Sequence, residues 1–269
     1  MTSANHATLD VAAFIGRPLP AGARYPDLRI GMLVTSPEAA AAPDSVAADG
    51  LGSLIGLLES VQPCSGASVD HLTFDRLRAD PGGHLPVHLA AIITRLSPPD
   101  QAGAARVTQD LRLVDPAGLE LCRARAVWTV PAAGAPQDGA RVALALGSVE
   151  WGKRVAERLA TNAAFHSTTR PFDGTIGFSA GPDEVNFRIY RGEVIEISRK
   201  ALTGPTFVID APELTWLQLL ASPVNDYVRR TMTGAFKIRG DGFQYVRMIK
   251  AVMLILDEAR AEAAAALSA

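Results

Sequence analysis

Side chains that can act as nucleophiles, general bases or metal ligands are scattered along this sequence. The two cysteines, Cys64 and Cys122, have neither CxxC spacing nor a histidine cluster beside them, so neither a disulfide framework nor a zinc site is indicated. Ser53 and Cys64 have no base nearby in the sequence, which gives no support to a nucleophile. His84 and His88 lie around a Pro-Gly-Gly turn and are typical of solvated loop histidines. No metal and no other cofactor is expected.

Binding of apolar molecules is indicated instead by the segment that starts at Gly234, which predicts a strand, a Gly-Asp-Gly turn and a long closing helix. A helix that is apolar on much of its circumference must be covered on more than one side. Two apolar stripes run along this helix: Phe243, Val246, Ile249, Met253 and Leu256 form the first, and Tyr245, Met248, Val252 and Ile255 form the second.

Two interpretations of these stripes remain open. In one, the helix is a core helix whose second face makes a dimer contact. In the other, one stripe packs on a sheet and the other lines an apolar ligand site. Phe207, Trp216 and Phe236 are then candidates for the opposite wall, although each is also compatible with plain core packing.

Composition predicts a folded, soluble, cytoplasmic protein with a small-molecule partner. Hydrophobic residues make up 48% and charged residues 20% of 269 residues, as in ordinary globular chains. The net charge is -2 and the Lys and Arg residues are scattered, so neither nucleic acid nor an anionic membrane is indicated as a partner. Residues 1–14 lack the pattern of a secretory signal, and the longest apolar stretch, Ala251 to Leu256, is too short for a transmembrane segment.

Two domains are predicted, because the stretch from Val130 to Arg141 is rich in alanine, proline and glycine and favours neither a helix nor a strand. We expect an N-terminal domain at 1–131, a linker at 132–144 and a C-terminal domain at 145–269. The alternative is a long surface loop within one domain, which is uncommon in compact proteins.

The N-terminal half predicts one buried helix inserted between a first strand and a run of antiparallel strands, an α+β arrangement. The helix, Val46 to Val61, carries three glycines that are tolerable only under very close packing, as by a sheet that wraps it. The predicted strands are Leu28–Val34, Ser68–Arg76, Val87–Leu96, Ala105–Val114 and Leu121–Val130, the last two joined by the turn signal at 115–118.

The C-terminal half predicts an amphipathic helix, Val149 to Leu159, and then strands separated by tight turns. Pro212 with Glu213 favours the start of another helix, and a further short helix is expected from Asp226 to Met232. The predicted strands of this half are Thr175–Ser179, Val185–Tyr190, Val194–Ser198 and Thr206–Ile209.

Residues 15–131 resemble the hotdog fold, in particular the small thioesterases of the PaaI type. The resemblance is carried by AADGLGSLIGLLESVQPCSGASVDHL at 47–72, where an Ala-Asp pair, an apolar helix, a Pro/Gly turn and a Ser-Val-Asp strand follow one another. It implies an antiparallel sheet wrapped around a central helix. It also implies a homodimer, because hotdog domains normally cover a sheet edge or face with a second copy.

The same resemblance places a catalytic carboxylate at the start of the central helix, at Asp49 here. A partly desolvated carboxylate there can activate water or attack a thioester, while helix N–H groups polarise the carbonyl. The alternative is an ordinary helix-capping aspartate. The sequence departs from the family at Ala40 to Pro43, where such thioesterases commonly carry His-Gly-Gly. Asp70 and His71 are adjacent rather than a few residues apart, so a hydratase is disfavoured.

Residues 145–265 resemble the sterol carrier protein 2 family in the order of their elements and in the strand that ends in Arg239, Gly240 and Asp241 before the last helix. The resemblance implies an α/β layer domain with an apolar tunnel for fatty acyl chains or sterols, to which methionine can adapt its shape.

Three functions therefore remain open. The first is the binding of an acyl or sterol ligand, expected to be linked to coenzyme A, without chemistry. The second is an acyl-CoA thioesterase that uses Asp49. The third is a scaffold that dimerises through its hotdog half and joins a pathway complex.

Overall fold

A computed structural model shows a chain that divides into two compact units, Met1–Gln137 and Asp138–Ala269. The structure describes residues 18–19, 22–28, 30–36, 57–77, 88–114, 119–132, 142–201 and 204–268. Each unit combines a five-stranded sheet with helical segments, which confirms the predicted α+β class at this level. No helix in these ranges has the length and apolar character needed to cross a bilayer.

The first unit is built on an antiparallel five-stranded sheet. Its strands are β1 (Leu33–Thr35), β2 (Ser68–Leu77), β3 (His88–Leu96), β4 (Ala104–Val114) and β5 (Glu120–Pro131). They lie in the order β1-β3-β4-β5-β2. Four of these strands lie within two residues of the predicted bounds, because alternating side chains and turn residues mark strands clearly in the sequence. The predicted turn at 115–118 lies outside the described residues.

One face of this sheet packs on the short 3-10 helix Leu58–Val61. The side-chain amide nitrogen of Gln109 on β4 donates to the carbonyl oxygen of Val61 at 3.2 Å, which joins the two elements. Apolar side chains of the three central strands fill the core around it, among them Leu89, Ile93, Val107, Leu111, Leu113, Ala124, Trp128 and Val130. The remainder of the predicted central helix, 46–56, lies outside the described residues.

The predicted strand Leu28–Val34 is wrong over most of its length. A 3-10 helix occupies Tyr25–Asp27, and the strand β1 begins only at Leu33. The physical reason is Gly31, whose φ of +90° interrupts an extended conformation. Leu28 is fully buried, so its apolar character reflects packing of a turn and not a strand.

The second unit contains a mixed sheet. Its strands are β6 (Asp173–Ala180), β7 (Asp183–Tyr190), β8 (Glu193–Ser198), β9 (Phe207–Ala211) and β10 (Lys237–Gly240). They lie in the order β10-β9-β6-β7-β8, in which β6 and β9 are parallel and the other pairs are antiparallel. The helices are α1 (Val149–Leu159), α2 (Ala163–Thr169), α3 (Glu213–Ala221), α4 (Tyr227–Met232) and α5 (Gly242–Ser268).

Local chemistry explains most of these boundaries. Ser148 caps α1 by accepting a hydrogen bond from the backbone N–H of Trp151. Between β7 and β8, Arg191 at φ +50° and Gly192 at φ +97° form the two-residue hairpin that the sequence predicts. The sequence did not reveal α2, a helix of seven residues capped by Asn162, because so short a segment shows no clear periodicity.

The closing helix α5 begins two residues after β10, the edge strand of the sheet. Its side-chain cap is Asp241, which accepts a hydrogen bond from the backbone N–H of Gln244 at 3.0 Å. Farther along, α5 packs against α1, α2 and α3. The helix is therefore well covered along its middle, whereas its first turns lie at the margin of the sheet.

Candidate functional site

An aromatic cluster lies between the sheet of the second unit and the closing helix. The ring of Phe236 is 4.6 Å from that of Trp216 and 5.1 Å from that of Tyr227, centroid to centroid. Phe207 meets Tyr245 in an edge-to-face contact at 5.6 Å. All five rings are buried, so the cluster forms a continuous apolar interior with defined ring geometry.

Trp216 is held in this cluster by its polar edge. Its indole N–H donates to the backbone carbonyl of Ser179 at 2.8 Å, which fixes α3 against β6. The hydroxyl of Ser179 in turn donates to Asp210 at 2.7 Å on the neighbouring strand β9. The indole thus has a satisfied N–H and presents its apolar faces to Phe178 and Phe236.

The most polar feature inside the cluster is a pair of tyrosine hydroxyls. The hydroxyl oxygens of Tyr227 and Tyr245 lie 3.0 Å apart, so one of them donates to the other. Tyr227 is fully buried, and burial raises the pKa of its phenol far above the ordinary value. The phenol of Tyr227 therefore stays protonated, and the hydroxyl pair offers a hydrogen-bonding point in apolar surroundings.

The second apolar stripe of α5 is interior, and its first residue, Tyr245, belongs to the cluster. Tyr245, Met248, Val252 and Ile255 are all buried. Together with Phe207, Trp216 and Phe236, seven of the eight residues named from the sequence as ligand contacts lie in this interior. The geometry alone is equally compatible with a plain core.

Phe243 is the residue that the structure places elsewhere. Its side chain is 70% exposed and carries the guanidinium of Arg247 over its ring at 5.7 Å. Val246, one turn further, is also exposed. The expectation that both stripes are covered is therefore wrong for the start of α5, because this end follows the edge strand β10, where the sheet covers only one side of the helix.

In the first unit, the position proposed for a catalytic carboxylate, Asp49, lies outside the described residues, as do Ser53 and His84. Asp70 and His71 are exposed on the edge strand β2, where a bulge interrupts the alternation that the sequence predicts. The carboxylate of Asp70 accepts a hydrogen bond from the hydroxyl of Thr129 at 2.5 Å, which is a surface contact between strands.

The two cysteines are buried and free in this unit. Burial raises the pKa of the Cys64 thiol, and burial together with the charge of Glu120 raises the pKa of Cys122 to about 11. Since the thiolate is the reactive form, neither group is activated as a nucleophile.

Sequence reasoning missed a group of buried ions on the sheet of the first unit. The Arg112 guanidinium donates to Asp110 at 2.7 Å and to Glu120 at 2.6 Å, and Arg123 donates to the same Glu120 oxygen at 2.9 Å. The sequence does indicate the first of these ion pairs, because Asp110 and Arg112 are two residues apart on β4 and therefore share a face of the sheet. Their face is opposite to the one that carries Gln109.

Burial raises the pKa of these two carboxyl groups, whereas pairing with arginine lowers it. Burial raises the pKa of Asp110 despite the neighbouring Arg112. For Glu120, burial favours a higher pKa, but the hydrogen bonds from Arg123 and Arg112 outweigh it and lower the pKa below its ordinary value. Of the two carboxylates, Glu120 is therefore the one whose ionised form is favoured by the folded structure.

No family model matches this sequence, and no curated protein matches it. Among solved structures, the chain is similar to a crystal structure of sterol carrier protein 2, with 17% identity and a TM-score of 0.38 over 43% of this chain and 97% of the other. It is also similar to a solution structure from Thermus thermophilus described as possibly a sterol carrier protein, with 17% identity and a TM-score of 0.38 over 45% and 91%.

A third similar structure is a mutant thioesterase from Pseudomonas aeruginosa, with 18% identity and a TM-score of 0.29 over 37% of this chain and 75% of the other. These are distant likenesses, each to less than half of the chain.

Proposed function

We propose that residues 145–269, within the second unit, form a domain of the sterol carrier protein 2 type that binds a hydrophobic acyl or sterol ligand along α5. The observation that carries this proposal is the hydrogen-bonded pair Tyr227 and Tyr245, set in an aromatic interior. Sites for apolar ligands are typically lined by aromatic and aliphatic side chains with a few placed polar groups that orient the ligand.

The ligand is expected to lie along the second stripe of α5, between Met248 and the rings of Phe207 and Phe236. Methionine supports this role, because its unbranched thioether adapts to ligands of different shape. The hydroxyl pair then receives the polar end of the ligand, a carboxyl, carbonyl or hydroxyl group.

Mass spectrometry of gently purified protein, together with thermal melts, tests this proposal. Palmitate, palmitoyl-CoA and cholesterol are added separately, and at least one is expected to raise the melting temperature or to be found copurified. A Met248→Trp variant, which fills the proposed site, is expected to lose the shift, whereas an Ile195→Trp variant on exposed β8 keeps it. A protein that retains no lipid and shows no shift with any of the three contradicts the proposal.

For residues 1–131, within the first unit, we propose a hotdog domain that forms a homodimer and handles the coenzyme A-linked form of the ligand, with 132–144 as the linker. The sheet whose one face packs on Leu58–Val61 supports this arrangement. A thioesterase with Asp49 as catalytic carboxylate is the second candidate function and rests on the sequence motif at 47–72.

Hydrolysis of palmitoyl-CoA, followed by release of free thiol, tests the second candidate. An Asp49→Asn variant is expected to lose activity by about 100-fold or more if the carboxylate is base or nucleophile. Asp75→Asn, at an exposed position of β2, is the matched control. Equal rates for Asp49→Asn and the wild type exclude the role of Asp49, and the ligand-binding proposal for the second unit is unaffected.

A further inference from the structure

The second unit exposes five large apolar side chains on and beside α4 and the start of α5. Their exposed fractions range from 39% for Val228 to 84% for Met232. Large apolar side chains exposed together mark an interaction surface more often than single ones do. We call this set the α4–α5 face: Val224, Val228, Met232, Phe243 and Val246.

Hydrogen bonds tie α4 and the chain just before it to α5. The hydroxyl bond of Tyr227 with Tyr245 ties α4 to the first turns of α5. Just before α4, the Asn225 amide donates to the carbonyl oxygen of Met253 at 3.3 Å and to Asp257 at 2.8 Å, so the chain runs alongside α5.

Helical spacing then aligns the exposed side chains. Val228 and Met232 are four residues apart on α4 and share one face of that helix. Phe243 and Val246 are three residues apart on α5 and do the same. The hydroxyl bond of Tyr227 with Tyr245 joins the two helices that carry these exposed pairs.

Positive charge accompanies this face. Arg247 and Lys250 of α5 are exposed, and neither has an ion-pair partner among the residues that the structure describes. Arg247 lies directly over the ring of Phe243. Cations that border apolar side chains at an exposed helix face are the pattern of proteins that bind an anionic bilayer surface.

The acidic residues nearby are already engaged. Asp226 accepts hydrogen bonds from Arg229 and Arg230, both at 2.6 Å, and its side chain is largely buried. Asp241 caps α5, and Asp257 accepts from Asn225. Since two arginines face the single charge of Asp226, and Arg247 and Lys250 add two more cations, the local balance at the face is positive, although the net charge of the whole chain is -2.

We propose that the α4–α5 face binds the surface of an anionic phospholipid bilayer. Phe243, Val246 and Met232 insert at the level of the headgroups, and Arg247 and Lys250 contact lipid phosphates. A second copy of the chain fits less well, because like charges would then face each other across the contact. This inference does not depend on which ligand the unit carries.

Cosedimentation of the full chain with lipid vesicles tests the proposal. The chain is expected to bind vesicles of phosphatidylcholine mixed with phosphatidylserine, to bind phosphatidylcholine alone much less, and to be released by salt. The double variants Met232→Ser/Phe243→Ser and Arg247→Glu/Lys250→Glu are each expected to weaken binding by about tenfold or more.

Two control variants carry the same changes elsewhere on the unit. Ile195→Ser replaces an exposed apolar residue of β8, and Arg191→Glu reverses a charge in the hairpin before it. Both are expected to bind vesicles like the wild type. Melting temperatures of all variants show that they are folded, and ligand shifts measured without vesicles separate this proposal from the ligand-binding one.

Two results overturn the proposal. One is the absence of binding to the mixed vesicles, or equal binding to both vesicle types. The other is a wild-type chain that self-associates in light scattering and becomes monomeric in Met232→Ser/Phe243→Ser, which assigns the face to a second copy.

Discussion

The hydroxyl oxygens of Tyr227 and Tyr245 lie 3.0 Å apart, and this single hydrogen bond joins the short helix α4 to the closing helix α5 inside an apolar interior. The bond is part of the packing and of the proposed ligand site at the same time. Its removal is therefore expected to affect both stability and affinity.

Tyr227→Phe removes one partner of this bond and leaves the Tyr245 hydroxyl unpaired in a buried position. We expect a loss of about 1–2 kcal/mol in the free energy of unfolding. Affinity for the bound acyl or sterol ligand is expected to fall by about fivefold to tenfold, because the polar end loses one hydrogen-bonding group. Denaturant unfolding and ligand titration measure the two effects. Tyr190→Phe, at an exposed position of β7, is the control that changes neither; a Tyr227→Phe protein with unchanged affinity argues against the anchoring role.

Arg112→Met removes the centre of the buried ion network in the first unit. Asp110 and Glu120 then lose their shared counter-ion, and we expect the free energy of unfolding to fall by about 3–5 kcal/mol. Arg106→Met on the same strand, whose side chain is exposed, is expected to cost less than about 1 kcal/mol. Equal stabilities of these two variants in urea unfolding would show that the network contributes no net stability.

Acid unfolding is predicted from the same network. The folded-state pKa of Glu120 lies below its ordinary value of 4.5, so its ionised form stabilises the fold above that pH. This stability is lost as the pH falls from 4.5 through the lower folded-state pKa. Asp110 has the opposite sign, because its raised pKa means that protonation favours the folded state.

Melting temperatures between about pH 6 and pH 3 measure the sum of the opposite contributions of Glu120 and Asp110 to stability. Glu120→Gln is expected to flatten the loss at the acid end, and Asp110→Asn is expected to steepen it. The reverse order would mean that burial, and not pairing with arginine, dominates at Glu120.

The edge strand β2 is predicted to be the dimer contact of the first unit. It is ten residues long, its described side chains are mostly exposed, and they include the apolar Val69 and Phe74. Long exposed edges of this kind pair readily with another strand. Phe74→Lys is expected to shift a dimer toward monomer in sedimentation velocity, whereas Ile195→Lys on β8 leaves the mass unchanged. A wild-type chain that sediments as a monomer at high concentration contradicts this prediction.

The thiols of Cys64 and Cys122 are expected to react slowly with a chromogenic disulfide reagent at about pH 8, because burial raises the pKa of both. In denaturant, both are expected to react at the rate of ordinary thiols. The variants Cys64→Ser and Cys122→Ser show at which rate each of the two thiols reacts. A fast reaction of the folded protein would show that one thiolate is exposed and activated.

Much of the fold could be predicted from the sequence, since strand alternation and turn residues are local. The strands β2 to β8 lie within two residues of their expected bounds, and the tight turn expected between β7 and β8 is present, with Gly192 at positive φ. The failures have local causes as well. Gly31 interrupts the expected first strand, and α2 is too short to show a period.

The buried charges show where sequence reasoning stops. Asp110 and Arg112 have the spacing of a shared strand face, but a strand face is exposed or buried according to what covers it. Glu120 joins them only because the register of β4 and β5 places it beside Val114. Register between strands depends on packing across the whole sheet, which no local pattern specifies.

The closing helix also shows which features the sequence predicts and which depend on the tertiary structure. Its periodicity determined by itself that α5 is a helix with two apolar stripes. Only the tertiary structure decided that one stripe, from Tyr245 to Ile255, is interior, whereas Phe243 and Val246 lie outside with Arg247 and Lys250. The physical reason is that burial depends on which elements arrive from distant parts of the chain, and at the start of α5 the sheet ends at β10.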